Sequence, residues 1–394
     1  METEAPVGGA SAQRSIRFDG KVLVIGPLPP PIMGPALIGA VVREAFEHAG
    51  VDVIHVNTQD RRTVFNVGIP DLRNVALGLL HAAQTAWRAA RNRVSLVYLP
   101  VSDMRWGYAR DAVLLVIARA LHRPTVIHRH GANLQRLFHS SSPVERWMIK
   151  KTLSWPMIAI VSTPGLRADL DGLVPPERIR VLENAIPDPW PDGVEKLARR
   201  RQERALRTTK HMRLLYIAND FATKGGGTAV RALAEPGLDS CVLRMIGAPP
   251  PEVAADTQRL ASRLGIAERV QVLGQVSEER KLAELADADA FVYPTENDAQ
   301  PLVLLEALAS GLPVVATSHG GVPDTLGPAG LVVEPGDHRL VAERLRLLIE
   351  DIELRGRQGA LARERYVERY SIPAFNERFA VICMELFATD GPSP

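Results

Sequence analysis

The strongest constraint on the fold is a regular alternation of short apolar runs with longer helical patterns, and this alternation occurs twice along the chain. The runs at residues 21–25 and 94–99 are typical: each is rich in Val, Ile and Leu. Such runs indicate strands that are buried on both faces of a sheet. Strand–helix–strand units of this kind form parallel sheets covered by helices, so the chain is predicted to be an α/β protein.

The apolar runs fall into two series with a break between them. The first series predicts strands over residues 21–25, 51–56, 94–99, 125–128, 157–162 and 179–183. The second predicts strands over residues 213–217, 241–246, 270–273, 290–293 and 313–317. In the break, Pro187, Pro189 and Pro191 interrupt regular structure, and residues 195–213 carry eight Lys and Arg against two Glu. A chain of 394 residues is long enough for two domains of roughly 100–200 residues each.

These features predict five segments along the chain. They are a disordered leader (1–19), an N-terminal Rossmann-like domain (20–190), a basic linker (191–212), a C-terminal Rossmann-like domain (213–372) and a C-terminal helix that packs back on the first domain (373–394). Ligands of doubly wound sheets bind outside the carboxyl ends of the strands. The loops that follow strands are therefore the candidate functional segments.

Composition excludes several classes of protein. A net charge of +2 and an aromatic content of 5% argue against a nucleic-acid-binding surface. Cys241 and Cys383 are the two cysteines, and their separation fits neither a disulfide framework nor a zinc motif. A reducing, cytoplasmic location follows. We expect neither a signal peptide nor a membrane-spanning helix, because the chain has no apolar run of sufficient length.

The densest motif is the 24-residue string from Pro294 to Thr317, PTENDAQPLVLLEALASGLPVVAT. Pro301 is expected at the first position of a helix, whose amides and dipole would then point into the preceding loop, as in phosphate sites. Glu306 lies among leucines in that helix, so it needs a partner when buried. Two ribose hydroxyl groups would suit a carboxylate. The alternative is an ordinary helix-entry loop capped by Asp298.

The string resembles the hallmark of the retaining glycosyltransferases of family 4, Glu-x7-Glu followed by Ala-x-Ala-x-Gly-x-Pro-Val-Val. The resemblance implies that Glu306 holds the ribose of a nucleotide. It implies that Asp298, where the family has its first Glu, contacts the donor sugar, and that Pro301 and Leu302 belong to the donor site. It also implies the GT-B fold, in which two Rossmann-like domains face a central cleft. The resemblance spans about residues 20–390 and is densest in the second domain.

Two loops of the second domain extend the resemblance. In residues 214–225 the family has a strand, Gly-Arg, a short loop and Lys-Gly, which implies that Lys224 stabilises the leaving diphosphate. Asn219 stands where the family has Arg, so one cation is lost. The alternative is that Lys224 is an exposed turn residue. Gly274 and Val276 lie in the loop that brackets the nucleotide base in the family.

Two loops of the first domain also match. Gly34 follows the first strand, and the resemblance implies that its backbone approaches the donor phosphate; a rigid proline-rich turn is the alternative. His130, in the His-x-His-Gly sequence after the fourth strand, is implied to face the donor sugar. A core histidine is the alternative and fits His128 better. Zinc binding is not expected, because the two histidines are too close in sequence and lack further ligands.

The resemblance implies a retaining glycosyltransferase that uses a UDP- or GDP-sugar, with front-face attack and no metal or other cofactor. Asp287 and Asp289 are interpreted as part of a helix-to-strand turn. The implied role is in cell-surface polysaccharide or glycolipid biosynthesis. Two alternatives stay open: the same chemistry on a small soluble natural product, and a non-catalytic sugar-nucleotide-binding subunit, which Asn219 and Asp298 favour.

The acceptor side of the protein is less readable. Residues 146–155 combine basic and aromatic side chains at helical spacing, which indicates peripheral contact with an anionic membrane or, equally, a solvated basic helix. Residues 60–71 are predicted to shape the acceptor site. No nucleic acid partner is expected, and the sequence predicts neither the acceptor nor the oligomeric state.

Overall fold

The computed structural model describes residues 20–30, 33–59, 72–191, 193–207 and 212–387. The first of its two sheets contains β1 (Lys21–Gly26), β2 (Asp52–Asn57), β3 (Val94–Val101), β4 (Thr125–Arg129), β5 (Ile158–Val161) and β6 (Ile179–Val181). The connecting helices are α1 (Gly34–His48), α2 (Leu72–Arg91), α3 (Arg105–Ala120), α4 (Leu134–Ser140) and α5 (Pro143–Leu153). The strands are parallel and lie in the order β2-β1-β3-β4-β5-β6.

The second sheet follows the same plan. Its strands are β7 (Arg213–Ile217), β8 (Val242–Ile246), β9 (Val270–Gly274), β10 (Ala290–Tyr293), β11 (Val314–Thr317) and β12 (Gly330–Val333). Its helices are α6 (Val194–Arg207), α7 (Gly226–Leu233), α8 (Pro251–Arg263), α9 (Glu278–Asp287), α10 (Leu302–Ala309), α11 (Val322–Leu326), α12 (His338–Glu350) and α13 (Ile352–Arg365), followed by α14 (Ile372–Phe387). The strands are parallel and lie in the order β12-β11-β10-β7-β8-β9.

Helices cover both faces of the first sheet. Leu23 and Ile25 of β1 belong to the core that includes α3 and α5, whereas Val22 and Val24 belong to the core that includes α1 and α14. Neighbouring residues of one strand thus enter different cores. This two-sided burial explains why the strands read as continuous apolar runs rather than as alternating patterns.

The order of strands in each sheet creates a switch point. In the first sheet β2 lies on one side of β1, and β3 lies on the other side. In the second sheet β8 and β10 likewise lie on opposite sides of β7. Crevices at such points bind ligands in doubly wound sheets. The loops that follow β1, β3, β7 and β10 are therefore placed to form a site.

The eleven predicted strands are present, with bounds that differ from the prediction by at most two residues at either end. Three short elements were not predicted, β12, α4 and α11, and neither was the helix α6. β12 is a four-residue strand that pairs with β11, and α4 has seven residues. Elements this short carry too little periodic pattern to be distinguished from loops.

The basic segment predicted as a linker is largely helical, because it forms α6. The guanidinium group of Arg201 is buried and donates hydrogen bonds to the carbonyl oxygens of Leu285, Ala288 and Ser310, at 2.7, 2.9 and 2.7 Å. These carbonyl groups lie at the carboxyl ends of α9 and α10, where a cation is favoured by the helix dipole. The charge of Arg201 therefore fixes α6 to the second domain.

The chain returns to the first domain in α14. Phe379 packs edge-on against Phe46 of α1, with ring centroids 4.7 Å apart. The guanidinium group of Arg180 donates to the Glu385 carboxylate at 2.8 Å. The predicted leader (1–19) and residues 388–394 lie outside the described residues. Within the part of the chain that the structure describes, no helix has the length and apolar character needed to cross a lipid bilayer.

Candidate functional site

The loop between β10 and α10 joins the two domains. We call residues 297–300 the bridging loop. Asn297 accepts a hydrogen bond from the Asn133 side chain at 3.0 Å, and Gln300 accepts one from the Asn184 backbone amide at 2.7 Å. Ala299, between them, is buried in the core of the first domain. Asp298 is part of the bridging loop. The contacts of this loop with the first domain therefore hold Asp298 in the crevice between the carboxyl ends of the two sheets.

Lys224 and Asp298 form the centre of the site. The ammonium nitrogen of Lys224 lies 2.9 Å from Asp298 Oδ2 and also donates to the Asn297 carbonyl oxygen. The hydroxyl group of Tyr293 donates to the same carboxylate oxygen at 2.7 Å. Burial and the Asp298 charge raise the pKa of Tyr293 well above its usual value, so the hydroxyl group stays a donor.

Gly225 explains how Lys224 reaches this position. Its φ of +78° lies in the left-handed region, and a Cβ atom there would lie 1.8 Å from the Pro294 carbonyl oxygen. Only glycine fits this close approach between the loop after β7 and the loop after β10. Lys224 therefore lies in a constrained turn and is mostly buried, with 24% of its side chain exposed.

Glu306 is held by a lysine that the sequence analysis did not identify. Lys281, on α9, donates to Glu306 Oε1 at 2.7 Å and also contacts Glu278 at 3.0 Å. Burial raises the pKa of Glu306, and the Lys281 charge opposes that shift. Glu306 Oε2 is buried and has no hydrogen-bond partner among the described residues. A buried carboxylate oxygen without a partner is suited to accept a hydrogen bond from a ligand hydroxyl group.

Two helix N-termini converge on the crevice. Leu302 is the first residue of α10 and Gly34 is the first residue of α1. A Cβ atom placed on Gly34 would lie 3.9 Å from Leu302 Cδ1, so the two termini face each other closely. Pro301 precedes the helix with a ψ of 127°; the expectation that it is the first helical residue was wrong by one position. Free backbone amides at both termini favour an anion between them.

The remaining predicted residues of the second domain lie on two loops. Asn219 follows β7 and is exposed, and its side-chain oxygen accepts a hydrogen bond from the Ala248 amide at 3.3 Å. Gly274 ends β9 with a φ of +72°, and Val276 packs partly against the core of the second domain. Val276 lies two residues before α9, the helix that carries Lys281.

The two histidines of the first domain have different environments. His128 is fully buried, and its Nδ1 atom is hydrogen bonded to the Tyr98 hydroxyl group. Its ring lies against the ring of His130, with centroids 4.1 Å apart. Burial and the neighbouring Arg129 charge lower the pKa of His130 to about 4, so it is neutral at pH 7. His128 is thus the core histidine, and His130 borders a cavity.

That cavity lies in the first domain between α2 and α3 and has a volume of about 600 Å³. His130, Gly131 and Asp103, which follow strands β4 and β3, line the end next to the crevice. Leu79 and Val113, two turns into α2 and α3, line the other end. The cavity therefore leads from the carboxyl edge of the first sheet to the outer surface of its helices.

No cluster of three or more His, Cys, Asp or Glu side chains suited to a metal ion is found within the described ranges. Asp287 is the last residue of α9, and Asp289 immediately precedes β10. Asp289 accepts hydrogen bonds from Arg204 at 2.5 Å and from the Arg213 amide at 2.9 Å. This pair is therefore a structural turn, as the sequence indicated.

Parts of the chain are similar to known transferases. Residues 199–365 match the family model described as Glycosyl transferases group 1. A 90-residue segment is 43% identical to a sulfoquinovosyl transferase of Arabidopsis thaliana, covering 22% of this chain and 18% of that protein. A 179-residue segment is 30% identical to an N-acetyl-alpha-D-glucosaminyl L-malate synthase of Bacillus anthracis, and it covers 45% of this chain and 46% of that protein. The chain thus matches less than half the length of these relatives.

The fold has a counterpart among solved structures. The crystal structure of HepE from Anabaena, in complex with UDP, superposes with a TM-score of 0.69 at 17% sequence identity. The superposition covers 93% of this chain and 100% of that one, so it includes both domains. The predicted GT-B fold, two doubly wound domains facing a cleft, is confirmed.

Proposed function

We propose that the protein is a retaining glycosyltransferase of family 4, which moves a sugar from a nucleoside diphosphate sugar to an acceptor hydroxyl group. The observation that carries the proposal is the meeting of Lys224, Asp298 and Glu306 with the N-termini of α1 and α10 in one crevice. The family-model match over residues 199–365 supports it, because that segment contains all three side chains.

Lys224 and the helix N-termini are assigned to the diphosphate. In the proposed reaction the bond between the sugar C1 atom and the diphosphate oxygen breaks, and negative charge develops on that oxygen. A fixed ammonium group and free backbone amides stabilise this charge in a partly buried site. The acceptor oxygen bonds to C1 on the same face, and its proton passes to the departing diphosphate. The configuration at C1 is thereby retained.

The ribose and the sugar are assigned to different groups. Glu306 Oε2 accepts a hydrogen bond from a ribose hydroxyl group, while Lys281 donates to Oε1 and its charge opposes the rise in the Glu306 pKa that burial causes. Asp298 and the neutral His130 contact the donor sugar. Gly274 and Val276 border the base. The protein supplies position and charge, and no metal ion takes part in the proposed mechanism.

The donor is proposed to be a UDP- or GDP-sugar, which the UDP complex of HepE supports. The product is proposed to be a cell-surface polysaccharide or glycolipid, made on the cytoplasmic side of a membrane.

A non-catalytic sugar-nucleotide-binding subunit is the second candidate, and Asn219 is the observation that favours it. Where the family has an arginine that adds a second cation at the diphosphate, this chain has an exposed amide bonded to the Ala248 backbone. An amide cannot replace the charge of a guanidinium group. Slow hydrolysis of the donor without acceptor distinguishes the two candidates, because only an enzyme would catalyse it.

The proposal is tested by thermal shift with UDP-, GDP- and ADP-sugars in the absence of metal. A ligand at 100 times its Kd stabilises a protein by about 2.7 kcal/mol, which is easily measured. One of these donors should stabilise the wild type and Glu343→Ala, an exposed control on α12, but not Glu306→Ala. Failure of all three to bind, with and without magnesium, would remove the basis of the proposal.

A further inference from the structure

α2 turns its apolar side toward solvent. Its buried residues are His81, Thr85 and Ala89, whereas the side chains of Leu79 and Trp87 are 68% and 57% exposed. A helix that only served the core would bury its apolar residues and expose its polar ones. The side of α2 that faces outward therefore has the character of a contact surface.

The neighbouring helices continue this surface. On α3, Trp106, Val113 and Val116 are about half exposed and recur at helical spacing. On α5, Val144 and Trp147 also lie at helical spacing and are more exposed than the residues of α3. α3 packs against both α2 and α5. We call the solvent side of these three helices the outer face. Of the eighteen exposed large apolar side chains among the described residues, eleven lie on these helices or on the residue before α3.

Charge is concentrated in the same part of the chain. Residues 72–155 carry thirteen Lys and Arg against three Asp and Glu, a formal charge of +10, although the whole chain carries only +2. The remaining residues therefore carry −8. Arg91, Arg119, Arg146, Lys150 and Lys151 of α2, α3 and α5 are exposed. Basic side chains beside exposed Trp and aliphatic residues match the interface of an anionic lipid leaflet.

The cavity connects this surface to the proposed active site. It opens between α2 and α3, where Leu79 and Val113 line it, and ends at His130 and Asp103. Gly78 lies on the side of α2 that faces α3, since its Cβ position is 4.0 Å from Arg110. As a glycine, it places no side chain in the cavity. Apart from Asn74, His81 and Arg110, the walls that α2 and α3 contribute to the cavity are apolar, and His130 and Asp103 make its inner end polar. Such a cavity fits a molecule that has a hydrocarbon chain and a polar head.

We propose that the outer face rests on an anionic lipid leaflet, and that the acceptor is a lipid from this leaflet whose hydrocarbon chain enters the cavity while its polar head reaches His130. This inference rests on the proposed function, since it names the acceptor class of that reaction. A lipid acceptor explains both features together: the surface brings the protein to the leaflet, and the cavity leads from the leaflet to the transfer site.

The first test is sedimentation with vesicles, in the absence of nucleotide. The wild type should bind vesicles of phosphatidylglycerol and phosphatidylcholine, with a partition that falls in high salt, and should bind phosphatidylcholine vesicles much less. Leu79→Gln/Trp106→Gln should bind at least tenfold more weakly. The control is Val381→Gln/Met384→Gln, which alters exposed apolar residues on α14, at the opposite face of the sheet, and should bind like the wild type.

Other results of this test would overturn the proposal. One such result is that the wild type does not bind anionic vesicles. The other is that the α14 control loses as much vesicle binding as Leu79→Gln/Trp106→Gln. If the wild type instead forms dimers that Leu79→Gln/Trp106→Gln abolishes, the outer face is a contact between copies of the chain. Donor binding, measured separately by thermal shift without lipid, should be the same in all variants. The lipid proposal and the proposed function can therefore fail independently.

The second test probes the cavity with dodecyl phosphate and butyl phosphate, in calorimetric titrations below the micelle concentration. The wild type should bind the dodecyl compound at least tenfold more tightly than the butyl compound. Gly78→Leu should abolish this preference by filling the cavity, whereas Gly78→Ala should keep it. No preference in the wild type, or an unchanged preference in Gly78→Leu, would exclude a chain in the cavity.

Discussion

Replacing Lys281 by Met should separate the stability of the second domain from its ability to bind a nucleotide. Lys281 and Glu306 form a charge-assisted hydrogen bond of 2.7 Å, and both side chains are less than one fifth exposed. In Lys281→Met the Glu306 carboxyl group keeps its buried position and loses its partner. The cost comes from a buried carboxyl group that has lost its partner and must either stay charged without compensation or take up a proton.

The expected cost is about 2 kcal/mol, the range for a hydrogen bond to a partly buried charge. In a domain of 150–250 residues this lowers Tm by roughly 4–8 °C. The effect depends on pH. Burial already raises the pKa of Glu306, and loss of Lys281 raises it further. The folded variant therefore keeps a proton that the unfolded chain releases, so its stability falls as pH rises between the two pKa values. The variant should be nearest to wild type in acid.

Thermal unfolding between pH 4 and 8 measures this effect. Arg280→Met is the matched control: Arg280 is 56% exposed, and its partner Glu284 keeps a second ion pair with Arg244, so the change should stay within about 0.5 kcal/mol. Lys281→Met/Glu306→Leu should regain stability, since an apolar pair can replace a buried ion pair, yet bind no nucleotide sugar. An unchanged Tm of the single Lys281→Met variant at pH 8 would show that the Lys281–Glu306 pair does not stabilise the second domain.

Three further predictions concern the crevice. Lys224→Ala should lower kcat for donor hydrolysis by about 10²–10³-fold while Lys224→Arg retains part of the activity; equal rates in steady-state assays would contradict the role. Asn219→Arg should tighten donor binding by up to about tenfold by adding a cation at the diphosphate, and calorimetry that shows weaker or unchanged binding would exclude this position. The imidazole of His130 should titrate near pH 4 in NMR spectra, so a pKa near 6.5 would mean that it is more exposed to water than in this structure.

The meeting of Lys224 and Asp298 at one edge of the second sheet could be expected from the sequence, because both residues follow parallel strands. Lys224 and Asp298 are 74 residues apart, and their side chains meet at 2.9 Å. Each follows a strand, β7 or β10, and these strands are neighbours at the switch point of the second sheet. Parallel strands bring their carboxyl ends to one edge, so polar loops after such strands are expected to converge even when the chain between them is long.

Other contacts left no local pattern in the sequence. Lys281 lies on an ordinary charged helix, and only the packing of α9 beside α10 directs it to Glu306. The bond between Asn133 and Asn297 joins residues 164 positions apart, and it depends on how the two domains meet. The orientation of α2 is a third case, because periodicity predicts a helix but does not tell which side faces the core.

In the proposed reaction this crevice transfers a sugar from a nucleoside diphosphate with retention of configuration at C1. Proton NMR of slow donor hydrolysis, with an α-linked donor chosen by the thermal shift screen, tests it most directly. The wild type should first release the α anomer of the sugar, and Lys224→Ala should release it at least a hundredfold more slowly. Initial release of the β anomer would exclude retention, and no hydrolysis of any donor that binds would exclude sugar transfer by this crevice.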